Sequence, residues 1–194
     1  MFRSPILAFV SCLSLVTAVL YAADGDPCRV ATQHRDRATA YYRHHDLASA
    51  ISELRQAKAL CPTEPFFTFM LGNALYRSGQ LQESAEAYQT FVKSRPGHFE
   101  ARMCLGFASF ELGQRTQAVE EWEVAARLEP QSPFAHAALA VGLYSIGHFA
   151  NAVIQYQGAI GLDGRYAQPE QLGIDIRWKP ESRRILEKVK QLSN

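Results

Sequence analysis

One skeleton recurs four times along this chain at a fixed step of 34 residues. Its clearest copy is Leu105-Gly106, Gly113, Ala118, Trp122, Ala125 and Pro130. One step earlier the same register holds Leu71-Gly72, Gly79, Ser84, Tyr88, Phe91 and Pro96. One step later it holds Leu139-Ala140, Gly147, Ala152, Tyr156, Ala159 and Gly164. The earliest copy is Arg37-Ala38, His45, Ala50, Leu54, Ala57 and Pro62. A period of this length marks a stacked array, in which no single repeat buries its apolar face alone. Such an array is a surface for holding another molecule.

Within each copy, two helical windows flank a short turn. Ala101, Leu105, Ala108 and Leu112 recur at spacings of three and four, which puts them on one helix face. Gly113 ends that window, because a glycine just past a helix readily takes the left-handed backbone. The next window carries Ala118, Val119, Trp122, Ala125, Ala126 and Leu128 until Pro130 stops it. Pro62, Pro96 and Pro130 end each second helix at the same phase of the cycle. Gly106 and Ala118 are small enough to let the paired helices approach, and Trp122 fills the space toward the next pair.

This pattern resembles the tetratricopeptide repeat: a helix-turn-helix of 34 residues with Leu-Gly, a later Gly, Ala, an aromatic residue and a terminal Pro. The resemblance covers residues 31–166 in four repeats, 31–64, 65–98, 99–132 and 133–166. It departs at Ser84 and Phe91 in the second repeat, and at Arg37, His45 and Leu54 in the first. It implies an all-α fold, a right-handed α-solenoid whose concave face is lined by the first helix of each repeat. Beyond the array, 167–179 reads as an extended connector through Ile174-Asp175-Ile176-Arg177-Trp178. Residues 180–194 read as a capping helix with Ile185, Leu186, Val189 and Leu192 on one face. A sharper reading folds that helix into the array's own groove.

Carried over residue by residue, the resemblance makes Arg35 and Tyr42 lining residues of the first repeat. It adds Phe66, Phe69, Asn73, Tyr76 and Arg77 from the second, Met103, Phe107, Phe110 and Glu111 from the third, and Phe134 and Tyr144 from the fourth. Tyr42, Tyr76, Phe110 and Tyr144 then form a ladder of one aromatic per repeat. Together with the other phenylalanines they make a concave apolar patch suited to a partner helix or extended apolar segment. The alternative is that these rings pack between helices and never meet solvent. Relatives that clamp the acidic tail of heat-shock chaperones use Lys and Asn at fixed lining places. Here those places hold Arg35, Thr39, Phe69, Asn73 and Met103, a poor match.

The chain's start carries a different signal. Arg3 precedes an uncharged, mostly apolar run from Pro5 to Ala23, followed by Asp24-Gly25-Asp26-Pro27. Residues 1–23 read as a signal peptide or an N-terminal anchor, with a lipoprotein box at Phe9-Val10-Ser11-Cys12 as a poorer fit. Each reading places the repeats outside the cytoplasm: periplasmic, secreted or membrane-anchored facing outside. Residues 24–30 form a short leader. Removing 1–23 takes away Arg3 and no acid, so the 20 basic residues fall to 19 against 19 acidic ones. A neutral chain without a basic run argues against nucleic acid and acidic lipid as partners. Of the remaining cysteines, Cys28 precedes the first helix and Cys61 ends the second. Antiparallel helices bring those two places to one edge, so a Cys28–Cys61 disulfide is expected, with Cys104 left as a small apolar residue.

Little in the sequence carries chemistry. His44-His45-Asp46 sits in a turn with His34 one helix away, but matches no metal-cage spacing. Glu120, Glu121 and Glu123 surround Trp122 on a solvated helix face. No glycine-rich phosphate loop or nucleophile elbow is present. The expectation is a non-catalytic adaptor without metal or cofactor, binding an apolar peptide or helix. The alternative is a structural or assembly subunit of an envelope complex, acting through its convex face or C-terminal helix.

Overall fold

A computed structural model describes residues 26–169 and 179–193. The signal or anchor segment and most of the connector, including Ile174–Trp178, lie outside the described residues. Every regular element among the described residues is helical: α1 (Pro27–Arg43), α2 (Leu47–Leu60), α3 (Pro65–Arg77), α4 (Leu81–Ser94), α5 (Phe99–Glu111), α6 (Arg115–Leu128), α7 (Pro133–Ser145), α8 (Phe149–Leu162), a 3₁₀ turn (Gly164–Ala167) and α9 (Pro180–Ser193). No described helix is long and apolar enough to cross a membrane.

Local chemistry sets the boundaries. The Asp26 carboxylate accepts the Cys28 N–H at 3.0 Å and Pro27 occupies the first turn, so α1 begins four residues inside the leader expected at 24–30. Asp46 caps α2 through the Ser49 N–H at 3.1 Å, and Ser132 caps α7 through the Ala135 N–H at 3.3 Å. His98 does the same for α5, its Nδ1 accepting the Ala101 N–H at 3.2 Å. Between the helices of each pair, Gly79, Gly113 and Gly147 have φ of +81°, +79° and +85°. The equivalent place in the first repeat is His45, at φ +62°. A side chain at that backbone angle costs on the order of 1–2 kcal/mol, which glycine avoids.

The motif's other glycines act by size. A Cβ on Gly106 would lie 2.3 Å from Trp122 Nε1, and one on Gly72 2.7 Å from the Tyr88 ring. Trp122 is fully buried, and its indole N–H donates to the Met103 carbonyl at 3.3 Å. Ser84 departs from the motif's alanine, yet it stays buried by donating its hydroxyl to the Gly72 carbonyl at 2.9 Å.

The described residues form two compact bodies, one up to residue 67 and one from residue 68 on. In the first, α1 packs along α2, and Ala31, Ala57, Cys61 and Phe67 make a small core with Cys28 against it. Cys28 and Cys61 are disulfide-bonded, closing a loop over a separation of 33 residues. Glu53 of α2 ties both helices, accepting from Arg37 Nε at 2.8 Å and meeting His34 Nδ1 at 2.8 Å. In the second body, α5 pairs with α6 and α7 with α8, while α4 packs on α5 and α6 on α7. One continuous core runs through it, built on Phe91, Phe107, Phe110, Trp122, Tyr156 and Leu186. Helix α9 rests on both α7 and α8.

Candidate partner-binding face

The first helices of the repeats do not present an open aromatic trough. Met103, Phe107 and Phe110 are 0, 1 and 2 % exposed, and Tyr76 is 7 % exposed. These four expected lining residues are core, for a physical reason visible in their neighbours. Phe107 meets Trp122 edge-on at 5.0 Å and stacks on Phe134 at 5.5 Å, while Phe110 lies 5.6 Å from the same indole. Each ring is consumed by packing between its own helix pair and the next. The Arg115 guanidinium closes over the Phe110 ring at 3.7 Å and donates to the Phe110 carbonyl at 2.7 Å.

Among the expected lining residues that stay partly accessible in the second body, three form a stripe on α3. Phe69, Asn73 and Arg77 follow at intervals of four on one face, and all three are half-buried. Phe69 leans on Phe91 at 5.1 Å and on His98 at 5.3 Å. Asn73 is oriented from behind, because the Tyr88 hydroxyl donates to its Oδ1 at 2.8 Å. Burial holds the Tyr88 phenol protonated, far above the ordinary tyrosine range, with the nearby Cys104 thiol acting in the same sense. A phenol that keeps its proton is a dependable donor, so it fixes which side of the Asn73 amide is oxygen. The amide nitrogen then points away with two protons to give. The Cys104 sulfur also approaches Asn73 Oδ1, at 4.0 Å.

The remaining expected lining residues scatter. Phe134 and Tyr144 are half-buried, with Tyr144 edge-on to Phe149 at 5.0 Å. In the first body, Arg35 is paired with Asp36 at 2.7 Å and Tyr42 is half-buried. Phe66 is 43 % exposed and borders a cavity of about 300 Å³ shared with Cys28, Thr32, Arg35, Cys61, Glu64 and Phe67. A second cleft, of about 400 Å³, lies among α6, α7 and α8, with Ile154 on its rim at 61 % exposure.

Sequence reasoning missed the ion pairs that hold the start of α9. Lys179 Nζ reaches Glu111 at 2.5 Å and sits 5.3 Å from the Tyr76 ring centre, and Glu181 accepts from Arg115 at 2.7 Å. These partners are 66 to 68 residues apart in the chain, so no local spacing announces them. Around His44-His45-Asp46 the geometry is that of a turn, and no three His, Cys, Asp or Glu side chains converge as metal ligands among the described residues.

Residues 69–133 match the tetratricopeptide repeat family. No curated protein matches the sequence. Among solved structures, MamA from Desulfovibrio magneticus RS-1 superposes with a TM-score of 0.69 at 20 % identity, covering 87 % of this chain and 96 % of that one. YrrB, described as a tetratricopeptide-repeat protein with an unusual peptide-binding site, gives 0.64 at 15 % identity over 82 % of this chain and 84 % of its own. The first tetratricopeptide repeat of Spaghetti, solved with an HSP90 peptide, gives 0.54 at 15 % over 67 % and 93 %. At these identities the likeness is one of fold. The family match over 69–133 and the helix-pair architecture agree with the 34-residue skeleton: the fold is that of a tetratricopeptide-repeat solenoid, and residues 69–133 carry the family's match.

Proposed function

We propose that this protein is a non-catalytic adaptor that holds a protein segment against the first helices of its repeats, outside the cytoplasm. The observation that carries this reading is the α3 stripe, where Asn73 is set by Tyr88 to donate its amide. Beside it Phe69 offers an apolar edge and Arg77 a cation. An amide donor flanked by an apolar and a basic group suits the backbone carbonyl of an extended or helical peptide with an apolar anchor. Two solved relatives of the same fold, YrrB and Spaghetti, are described as peptide-binding or peptide-bound, which supports the class of partner. The Cys28–Cys61 disulfide and the apolar run at 5–23 support an oxidising, extracytoplasmic location.

Asn73→Asp is the discriminating substitution. It keeps the oxygen that Tyr88 needs and removes the donor, so the fold survives while capture weakens. The partner segment is first mapped by crosslinking in the native cell and then titrated as a synthetic peptide. We expect Asn73→Asp to weaken that peptide by about ten-fold or more, a loss typical of one charge-free donor with its desolvation. Unchanged affinity would remove the stripe from the binding site. A second reading, an assembly subunit contacting through its convex side, is favoured by the cleft at Ile154. In that case Ile154→Glu abolishes binding and Asn73→Asp does nothing.

A further inference from the structure

The last helix begins where a partner would lie. Tyr76 and Glu111 are lining positions in the family's pattern, and Lys179 touches both. Two residues later Glu181 pairs with Arg115, whose guanidinium covers Phe110, another lining position. From there α9 lays Ser182, Leu186 and Val189 against α7 and α8, each of the three 1 % exposed or less. Leu186 and Val189 belong to the same apolar core as Met103, Phe107 and Phe110. The spacing of four and then three is that of a single helix face seated on a surface.

We infer that the face under α9 is a helix-accepting site, and that α9 is its resident occupant in cis. An external amphipathic helix takes the site by displacing it. The occupant's chemistry is written in α9 itself. The helix carries a small residue, then Leu and Val at positions four and seven beyond it. A cation three residues before the small one answers Glu111 and the Tyr76 ring, and an acid just before it answers Arg115. The resident helix is held by a small set of contacts. Only two large apolar side chains of α9 are fully buried, and its anchoring charges keep 39 % (Lys179) and 55 % (Glu181) of their side chains in solvent. A partner helix with the same pattern and a larger apolar face therefore outcompetes it. This inference rests on the reading that the array holds a partner segment, and it names the chemistry and the internal competitor of the face that α7 and α8 make.

The probe is a fluorescently labelled synthetic peptide of residues 179–193, titrated by anisotropy onto the full chain. Leu186→Asp in the chain unseats the resident helix, and we expect the peptide to bind that variant at least about ten-fold more tightly than wild type. A peptide carrying the same Leu186→Asp change should bind neither. Should Leu186→Asp melt the fold by circular dichroism, the Lys179→Glu, Glu181→Lys double variant decides, because it loosens α9 while leaving its buried Leu186 and Val189 unchanged. It too should take up the wild-type peptide more tightly than wild type, with the gain shrinking in high salt as the parent ion pairs weaken. Equal affinity for wild type and a folded variant overturns the inference. A wild-type chain that runs as a dimer, and becomes monomeric on Leu186→Asp, also overturns it by giving the site to a second copy. Failure here with Asn73→Asp still blocking native capture sinks only the resident-helix inference. Peptide uptake with no effect of Asn73→Asp sinks the α3 stripe instead.

Discussion

Two glycines at different places in the repeat fail for different reasons when substituted. Gly106→Ala drives a Cβ into the buried indole of Trp122, a rigid obstacle with no room to move. Overpacking of this kind costs about 1–3 kcal/mol and should appear as a lower midpoint in denaturant with the slope unchanged. Gly113→Ala meets open space and is penalised only by its backbone angle of +79°. The first repeat already carries such a penalty, since His45 sits at +62°. His45→Gly should therefore stabilise the first body by about 1 kcal/mol, read as a higher thermal midpoint. Glu53 gives a pH signature of the same body. Its carboxyl is held below the ordinary glutamate range, first by the Arg37 hydrogen bond, which burial opposes, with the His34 hydrogen bond lowering it further. A depressed folded-state pKa means that the unfolded chain binds the proton more readily. The stabilisation is therefore present above the ordinary glutamate range and is lost as pH falls from there through the depressed folded value. Acid unfolding of the wild type that Glu53→Gln leaves equally steep would refute this.

At the level of elements, the helix pairs were legible because turn glycines, terminal prolines and small contact residues obey rules that operate within one repeat. Gly79, Gly113 and Gly147 do take the left-handed backbone that their spacing implies. The candidate partner-binding face was less legible. Helical periodicity tells which residues share a side of α5, but not that Trp122 reaches across to both Phe107 and Phe110. Burial of a ring depends on a neighbour's size, and the repeat pattern does not encode that. Phe107→Glu is accordingly a folding probe: we expect loss of cooperative unfolding, since a carboxylate would replace a ring that is 1 % exposed. The start of α9 escaped for a different reason, its ion pairs being made across nearly seventy residues of chain.

For the whole molecule, the two bodies answer to different chemistry. The disulfide bounds a loop of about one repeat, and losing such a crosslink costs about 2–5 kcal/mol in small domains. Reductant, or Cys28→Ser, should therefore speed hydrogen exchange through α1 and α2 and leave α5 to α8 unchanged. Equal acceleration in both bodies would show that they unfold as one.

The clasp formed by Lys179, Glu181, Glu111 and Arg115 gives the chain a second, independent lever. Charges half in water respond to ionic strength, whereas a sulfur–sulfur bond responds to electron donors. A change in the medium can then slacken one terminus of the array while the other holds. The redox state of the surroundings addresses the first repeat, and their salinity addresses the last helix.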